Sequence, residues 1–100
     1  EYSNIDGGDL MEDVKKYEGI AEILKSMAHP VRICIIKGLM EKKCNVTHMQ
    51  ECLELPQSTV SQHLGVLRAK GIIKGERNGL EITYSVVNED VKKIINAIFD

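Results

Sequence analysis

The sequence lacks the features that mark membrane and secreted proteins. No apolar run approaches the roughly 20 residues that a membrane-spanning helix needs, and no segment has the apolar core of a signal peptide. Only three cysteines are present, an odd number that cannot form a closed disulfide framework. We therefore expect a protein of a reducing compartment, the cytoplasm, with no membrane partner.

Sequence motifs of catalysis are also missing. There are no paired carboxylates at catalytic spacing, no glycine-rich phosphate loop and no nucleophile elbow. His29 lies just ahead of one predicted helix, near its cap, while His48 and His63 fall on two others, and each has a simpler local explanation than catalysis. At 100 residues the chain forms one domain with a modest core. We predict a protein that is not an enzyme and that needs no cofactor.

Apolar periodicity predicts a mainly α-helical domain with one small β-hairpin. From residue 80 to residue 86 apolar and polar side chains alternate, as in a strand with one buried face, and Asn78-Gly79 predicts the hairpin turn before it. Residues 1–10, rich in acids and poor in apolar side chains, are predicted to be a flexible tail ahead of a domain of residues 11–100. Steps of three and four residues predict helices at about 12–27, 31–40, 46–54, 57–70 and 88–99.

The order helix-helix-helix-helix-hairpin-helix is typical of a winged helix-turn-helix. In the fourth predicted helix, an inner stripe of Val60, Leu64 and Leu67 leaves an outer face of small polar side chains. A merely solvated helix usually carries Glu and Lys there, whereas hydroxyls and amides suit close approach to phosphates and base edges in a major groove. No acidic residue occurs from Gln57 to Gly75 to repel DNA. The residues predicted to contact double-stranded DNA are Gln57, Ser58, Thr59, Ser61, Gln62, His63, Arg68, Lys70, Arg77 and Asn78.

Two stretches of the chain resemble the ArsR/SmtB-type bacterial repressors. They are residues 24–32, which read LKSMAHPVR, and residues 55–68, which read LPQSTVSQHLGVLR and are followed by Gly71-Ile72-Ile73 and the predicted wing. The resemblance extends over about residues 12–99. It implies a homodimeric repressor that binds pseudo-palindromic operator DNA and is released by a signal, which the residues leave open.

The two terminal helices carry stronger apolar faces than one small domain needs. Packing within the monomer is one explanation. Pairing across a two-fold axis is the other explanation, and the resemblance favours it. A dimer would also place two copies of the fourth predicted helix in major grooves about 34 Å apart. The residues predicted to form the dimer interface are Val14, Tyr17, Ile20, Leu24, Ile94, Ile95, Ile98 and Phe99.

The metal sites of many such repressors have no counterpart here. Some relatives open the third helix with Cys-Val-Cys, whereas the corresponding residues here, 45–49, read Asn-Val-Thr-His-Met. Other relatives use Asp and His residues of the last helix, and here no histidine follows His63. Zinc needs about four N, S or O ligands, so we predict no metal site. A redox-sensing thiol is an alternative, with Cys44, Cys34 and Cys52 as the candidates. Cys44, beside two lysines, is the first of them, because Cys34 and Cys52 are expected to be packed among apolar side chains.

A second alternative is a winged helix that binds another protein and no DNA. Its support is the formal net charge of −2. The charge is uneven, however, since residues 57–79 hold four basic residues against one acid, whereas residues 1–24 hold seven acids against two lysines. Salt dependence separates the two functions, because binding to DNA weakens steeply as salt rises.

Overall fold

The computed structural model describes residues 7–42 and 44–99, with side chains for residues 10–42 and 45–99. Its elements follow the predicted winged helix-turn-helix order, and the predicted fold class is confirmed. In chain order the elements are α1 (Gly7–Lys16), α2 (Glu18–Met27), α3 (Pro30–Glu41), β1 (Cys44–Asn45), α4 (Val46–Leu53), α5 (Gln57–Ala69), β2 (Ile73–Asn78), β3 (Glu81–Val86) and α6 (Glu89–Phe99).

The single N-terminal helix predicted at 12–27 is two helices that meet at Tyr17. The Tyr17 N–H donates to the carbonyls of both Asp13 and Val14, and the backbone turns there with ψ near 0°. Periodicity misses this break because apolar residues continue at helical spacing across it. Helix α1 begins at Gly7, so the last four residues of the predicted tail are helical, while residues 1–6 lie outside the described part.

Side-chain caps fix where three helices begin. His29, Asn45 and Asn88 each accept a backbone N–H from the first turn of the following helix, at 2.9 to 3.1 Å. In α4 this cap is Asn45. Pro30 opens α3 with its φ preset and no N–H to satisfy.

One hydrophobic core joins α3, α5, α6 and the inner face of the sheet. The predicted stripe of α5 is confirmed, since Val60, Leu64 and Leu67 are at most 1% exposed. Burying each such side chain contributes about 1.5–3 kcal/mol. Ile95, predicted to lie in a dimer interface, is completely buried in this core, because α6 turns that side chain inward together with Val91.

The sheet has three antiparallel strands in the order β1-β3-β2. Strand β1 was not predicted, because two residues show no alternation; it places Cys44 opposite Tyr84 of β3. The hairpin turn is one residue later than predicted. Asn78 pairs with Glu81, so Gly79 and Leu80 form the turn.

Gly79 explains the shift of the turn. It has φ +69°, and a two-residue turn with positive φ at the first position requires glycine there. Leu80, predicted to share the buried face of the strand, is consequently 99% exposed at the tip of the wing.

No helix in the described part of the chain is long and apolar enough to cross a membrane.

Glu54, in the turn that joins α4 to α5, has a left-handed backbone with φ 54° and ψ 43°. A side chain in this conformation costs roughly 1–2 kcal/mol, which glycine avoids. We therefore expect Glu54→Gly to raise the free energy of unfolding by about 1 kcal/mol in urea denaturation. The matched control is Glu51→Gly, within α4, which should lower it by about 0.5–1 kcal/mol. Equal losses for both variants would contradict this assignment of strain.

Candidate nucleic-acid interface

The turn between α4 and α5 sets the position of α5, the helix that corresponds to the fourth predicted helix. Three residues, Glu54 to Pro56, join the two helices. Leu55 packs partly buried against the core, and the carbonyl of Pro56 accepts the N–H groups of Thr59 and Val60 at 3.0 and 3.1 Å. Helices α4 and α5 thus form a helix-turn-helix whose second member is anchored along its inner stripe.

The outward side of α5 carries a polar ridge, which we define as Gln57, Ser58, Ser61 and Gln62. All four residues are exposed, as predicted for DNA-contacting groups, whereas Thr59 is half-buried beside them. Gln57 Nε2 donates to Ser61 Oγ at 3.3 Å, one turn further along the helix. The ridge therefore offers hydroxyl and amide groups without a formal charge.

The first turn of α5 adds backbone donors to this ridge. Pro56 precedes the helix, and no side chain caps it. The first-turn N–H groups that lack intrahelical partners carry partial positive charge. Backbone N–H groups in this setting bind phosphate oxygens well.

His63 lies at the edge of the ridge. Its ring is half-buried and tilted against the ring of His29, with centroids 4.5 Å apart. Burial, followed by the nearby His29 and Arg32, lowers the pKa of His63 below its ordinary value of 6.5. Arg32 Nε is itself buried with no hydrogen-bond partner in the described part of the chain. The packing against His29 leaves His63 less free to reach a base than the four ridge residues.

The predicted phosphate contacts differ in availability. Arg68 is exposed near the end of α5, whereas Lys70 donates a hydrogen bond to Glu22 Oε1 of α2 at 3.4 Å. This bond and the nearby Lys25 lower the pKa of the Glu22 carboxyl. The charge of Lys70 is thus partly compensated by α2.

In the wing, Arg77 and Asn78 point to opposite faces of the hairpin. Arg77 is opposite Ile82, and Asn78 donates from Nδ2 to Thr83 Oγ1 at 3.3 Å. Both are exposed. The wing is less basic than its sequence suggests, because Glu76 lies 4.0 Å from the ammonium of Lys74.

The predicted dimer residues are mostly available for contact. Ile94 is half-buried and Ile95 belongs to the core. The remaining six large apolar residues are exposed: Val14, Tyr17, Ile20, Leu24, Ile98 and Phe99. Leu10 and Met11 are exposed on α1 as well; sequence analysis missed them because Leu10 fell in the predicted tail and Met11 preceded the first predicted helix.

The thiols are placed differently from expectation. Cys34 and Cys52 are exposed, although both were expected to pack among apolar side chains. Cys52 Sγ lies 3.6 Å from His48 Nε2, a pair whose spacing of four residues was a signal present in the sequence. The side chain of Cys44 lies outside the described residues. Within the described part, no three His, Cys, Asp or Glu side chains are grouped as metal ligands.

The helix-turn-helix, the exposed polar ridge and the hairpin wing define a DNA-binding winged-helix protein. Residues 29–74 match the family of bacterial regulatory proteins described as the arsR family. The chain is 50% identical over 82 residues to the transcriptional repressor PagR of Bacillus anthracis, covering 81% of this chain and 82% of PagR. The chain belongs to the ArsR family.

Solved structures agree with this assignment. The crystal structure of PagR superposes with a TM-score of 0.77 at 48% identity, covering 85% of this chain and 98% of PagR. HlyU from Vibrio cholerae N16961 superposes with a TM-score of 0.80 at 30% identity, covering 84% of this chain and 91% of HlyU. PagR is a transcriptional repressor, and the chain is accordingly a transcriptional regulator of this family.

The lowered pKa of His63 predicts a loss of stability in acid. An unfolded chain takes up a proton near pH 6.5, whereas the folded protein resists protonation until lower pH, so stability falls as the pH drops through this window. We expect urea denaturation between about pH 7.5 and about pH 5 to show this decline, and His63→Gln to flatten it. The control His48→Gln removes an exposed imidazole and should keep the decline. An unchanged slope in His63→Gln would contradict the assignment.

Proposed function

We propose that the protein is a homodimeric repressor that binds pseudo-palindromic operator DNA and leaves it in response to a signal. The observation that supports this most is the polar ridge of α5, exposed on the side opposite a fully buried stripe. A regulator of this kind works where the DNA is, which in a bacterium is the cytoplasm.

In this proposal the ridge enters the major groove. Gln57 and Gln62 have amides that can pair with base edges, while the hydroxyls of Ser58 and Ser61 contact phosphates, as does half-buried Thr59 at the margin. His63 contributes at the edge of the contact. Arg68 and Lys70 approach the backbone at the end of α5, and Lys70 must first leave Glu22. Arg77 and Asn78 approach the neighbouring groove from the wing.

The dimer is supported by the exposed apolar residues of α1, α2 and the end of α6. We call this set the apolar patch; its members are Leu10, Met11, Val14, Tyr17, Ile20, Leu24, Ile98 and Phe99. Leaving this surface in water is unfavourable, and patches of this kind mark interfaces. The shape of the chain agrees: its radius of gyration is 16.5 Å, against about 13 Å for a compact domain of 100 residues. A second copy would cover the patch and double the number of phosphate contacts.

Removing a ridge amide should reduce discrimination between DNA sequences. We expect Gln62→Ala to lower the preference for operator over unrelated DNA by about 1–3 kcal/mol, because a base contact is lost. Fluorescence anisotropy at two salt concentrations measures this. Arg77→Ala should instead weaken binding to all sequences alike and reduce the salt slope by about one.

The control for both changes is Asn96→Ala, an exposed residue on α6, which should bind as the unchanged protein does. Full discrimination in Gln62→Ala would contradict the placement of the ridge in the groove. Binding that does not weaken with salt would favour a protein partner over DNA.

A charge placed in the apolar patch should separate the subunits. Leu24→Glu introduces a carboxylate that a second copy would bury without a partner, at a cost of at least about 2 kcal/mol per subunit. Sedimentation equilibrium should show a monomer at concentrations where the unchanged protein is a dimer. Leu80→Glu is the matched control, since Leu80 is exposed at the wing tip and lies outside the patch. A dimer that withstands Leu24→Glu would place the interface elsewhere.

A further inference from the structure

We propose that a cleft between α3 and α4 captures small α,β-unsaturated carbonyl compounds covalently at Cys52, and that the adduct releases the protein from DNA. The capture rests on the geometry of the cleft alone. The release rests on the function proposed above.

The cleft is a small, mostly apolar recess of about 270 Å³. Ile35 and Leu39 of α3 form one wall, and Met49 and Leu53 of α4 form the other. Drug-sized ligands usually occupy about 300–1,000 Å³, so this recess suits a smaller molecule. Its apolar walls favour an organic compound over a hydrated ion.

A nucleophile and a base meet at the edge of this recess. Cys52 Sγ lies 3.6 Å from His48 Nε2, one helical turn away, and both side chains line the cleft. A neutral imidazole at this distance can accept the thiol proton as sulfur attacks, as in other Cys–His pairs. Cys34 lines the same cleft from α3, but among the described contacts only Cys52 is paired with an imidazole.

The rim of the cleft supplies a group for the carbonyl. Lys42 lines the recess and has no ion pair within the described part of the chain, whereas its neighbour Glu41 is paired with Lys37. The Lys42 ammonium can donate a hydrogen bond to a carbonyl oxygen. A compound with a carbonyl next to a carbon–carbon double bond satisfies the thiol, the ammonium and the apolar walls together.

The reaction is a conjugate addition that needs no oxidant or reductant. The Cys52 sulfur forms a bond to the β-carbon, and the π electrons of the double bond move toward the carbonyl as an enolate. His48 takes the thiol proton and returns it to the α-carbon. The product is a thioether, with His48 neutral again and no leaving group.

The position of the cleft connects it to the DNA-binding helix. Met49 lines the cleft and is also buried in the core shared with the stripe of α5. Leu53 ends α4, directly before the turn that leads to Gln57. An adduct that fills the recess pushes α4 away from α3, and α5 moves with it, since well-packed cores transmit such displacements.

The test uses methyl vinyl ketone as the probe and peptide mass spectrometry to follow each of the three cysteines. We expect Cys52 to react fastest of the three. His48→Asn should slow the modification of Cys52 about tenfold and leave the rate at Cys34 the same. A tenfold effect is smaller than a buried base usually provides, because the Cys52–His48 pair is exposed. The modified protein should bind operator DNA at least about tenfold more weakly, a difference of about 1.4 kcal/mol. Cys52→Ser should abolish that loss, and Cys34→Ser should retain it.

Faster reaction at Cys34 or Cys44, or an unchanged rate at Cys52 in His48→Asn, would overturn the capture site. A Cys52 adduct that leaves operator affinity intact would overturn the release. Thermal denaturation of each variant confirms that it is folded before the rates are compared. Failure of the unmodified protein to bind DNA would instead contradict the proposed function, and the labelling rates would still decide whether Cys52 is the reactive thiol.

Discussion

The burial of one face of α5 fixes the orientation of this helix and so determines which of its side chains face outward. Val60, Leu64 and Leu67 are almost completely removed from solvent, and each would cost about 1.5–3 kcal/mol to expose. The helix therefore cannot rotate about its axis without losing a large part of the stability of a small domain. With the inner face fixed, the polar ridge must face outward. The poor helix formers Ser58 and Ser61 are retained on that side, where they add nothing to the core.

The charge of the chain and its proposed self-association are linked. The chain is acidic overall, with a net charge of −2, and its ridge is uncharged. Of the cations predicted to contact phosphate, Lys70 is held by Glu22. One subunit would therefore neutralise few phosphates, and DNA affinity depends strongly on that number. Pairing two subunits through the apolar patch would provide the missing contacts, so the patch and the ridge would act together.

Much of this organisation could be predicted from sequence because it is local. The α5 stripe follows helical periodicity, and the polar outer face of that helix follows once the stripe is set aside. Features that depend on distant contacts were missed: Ile95 turns into the core because of where α6 packs, and His63 is half-buried where His29, the cap of α3, packs against it. The hairpin turn lies one residue later than predicted because Gly79, with its positive φ, takes the first position of the turn and leaves Asn78 paired with Glu81.

In the proposed complex, two copies of the polar ridge lie in successive major grooves on one side of a DNA duplex. Methylation protection tests it directly, because dimethyl sulfate modifies guanine N7 in the major groove. We expect two protected patches whose centres are about 10 base pairs apart, related by the symmetry of the operator. A single protected patch, or DNA bound with every guanine N7 still reactive, would contradict it.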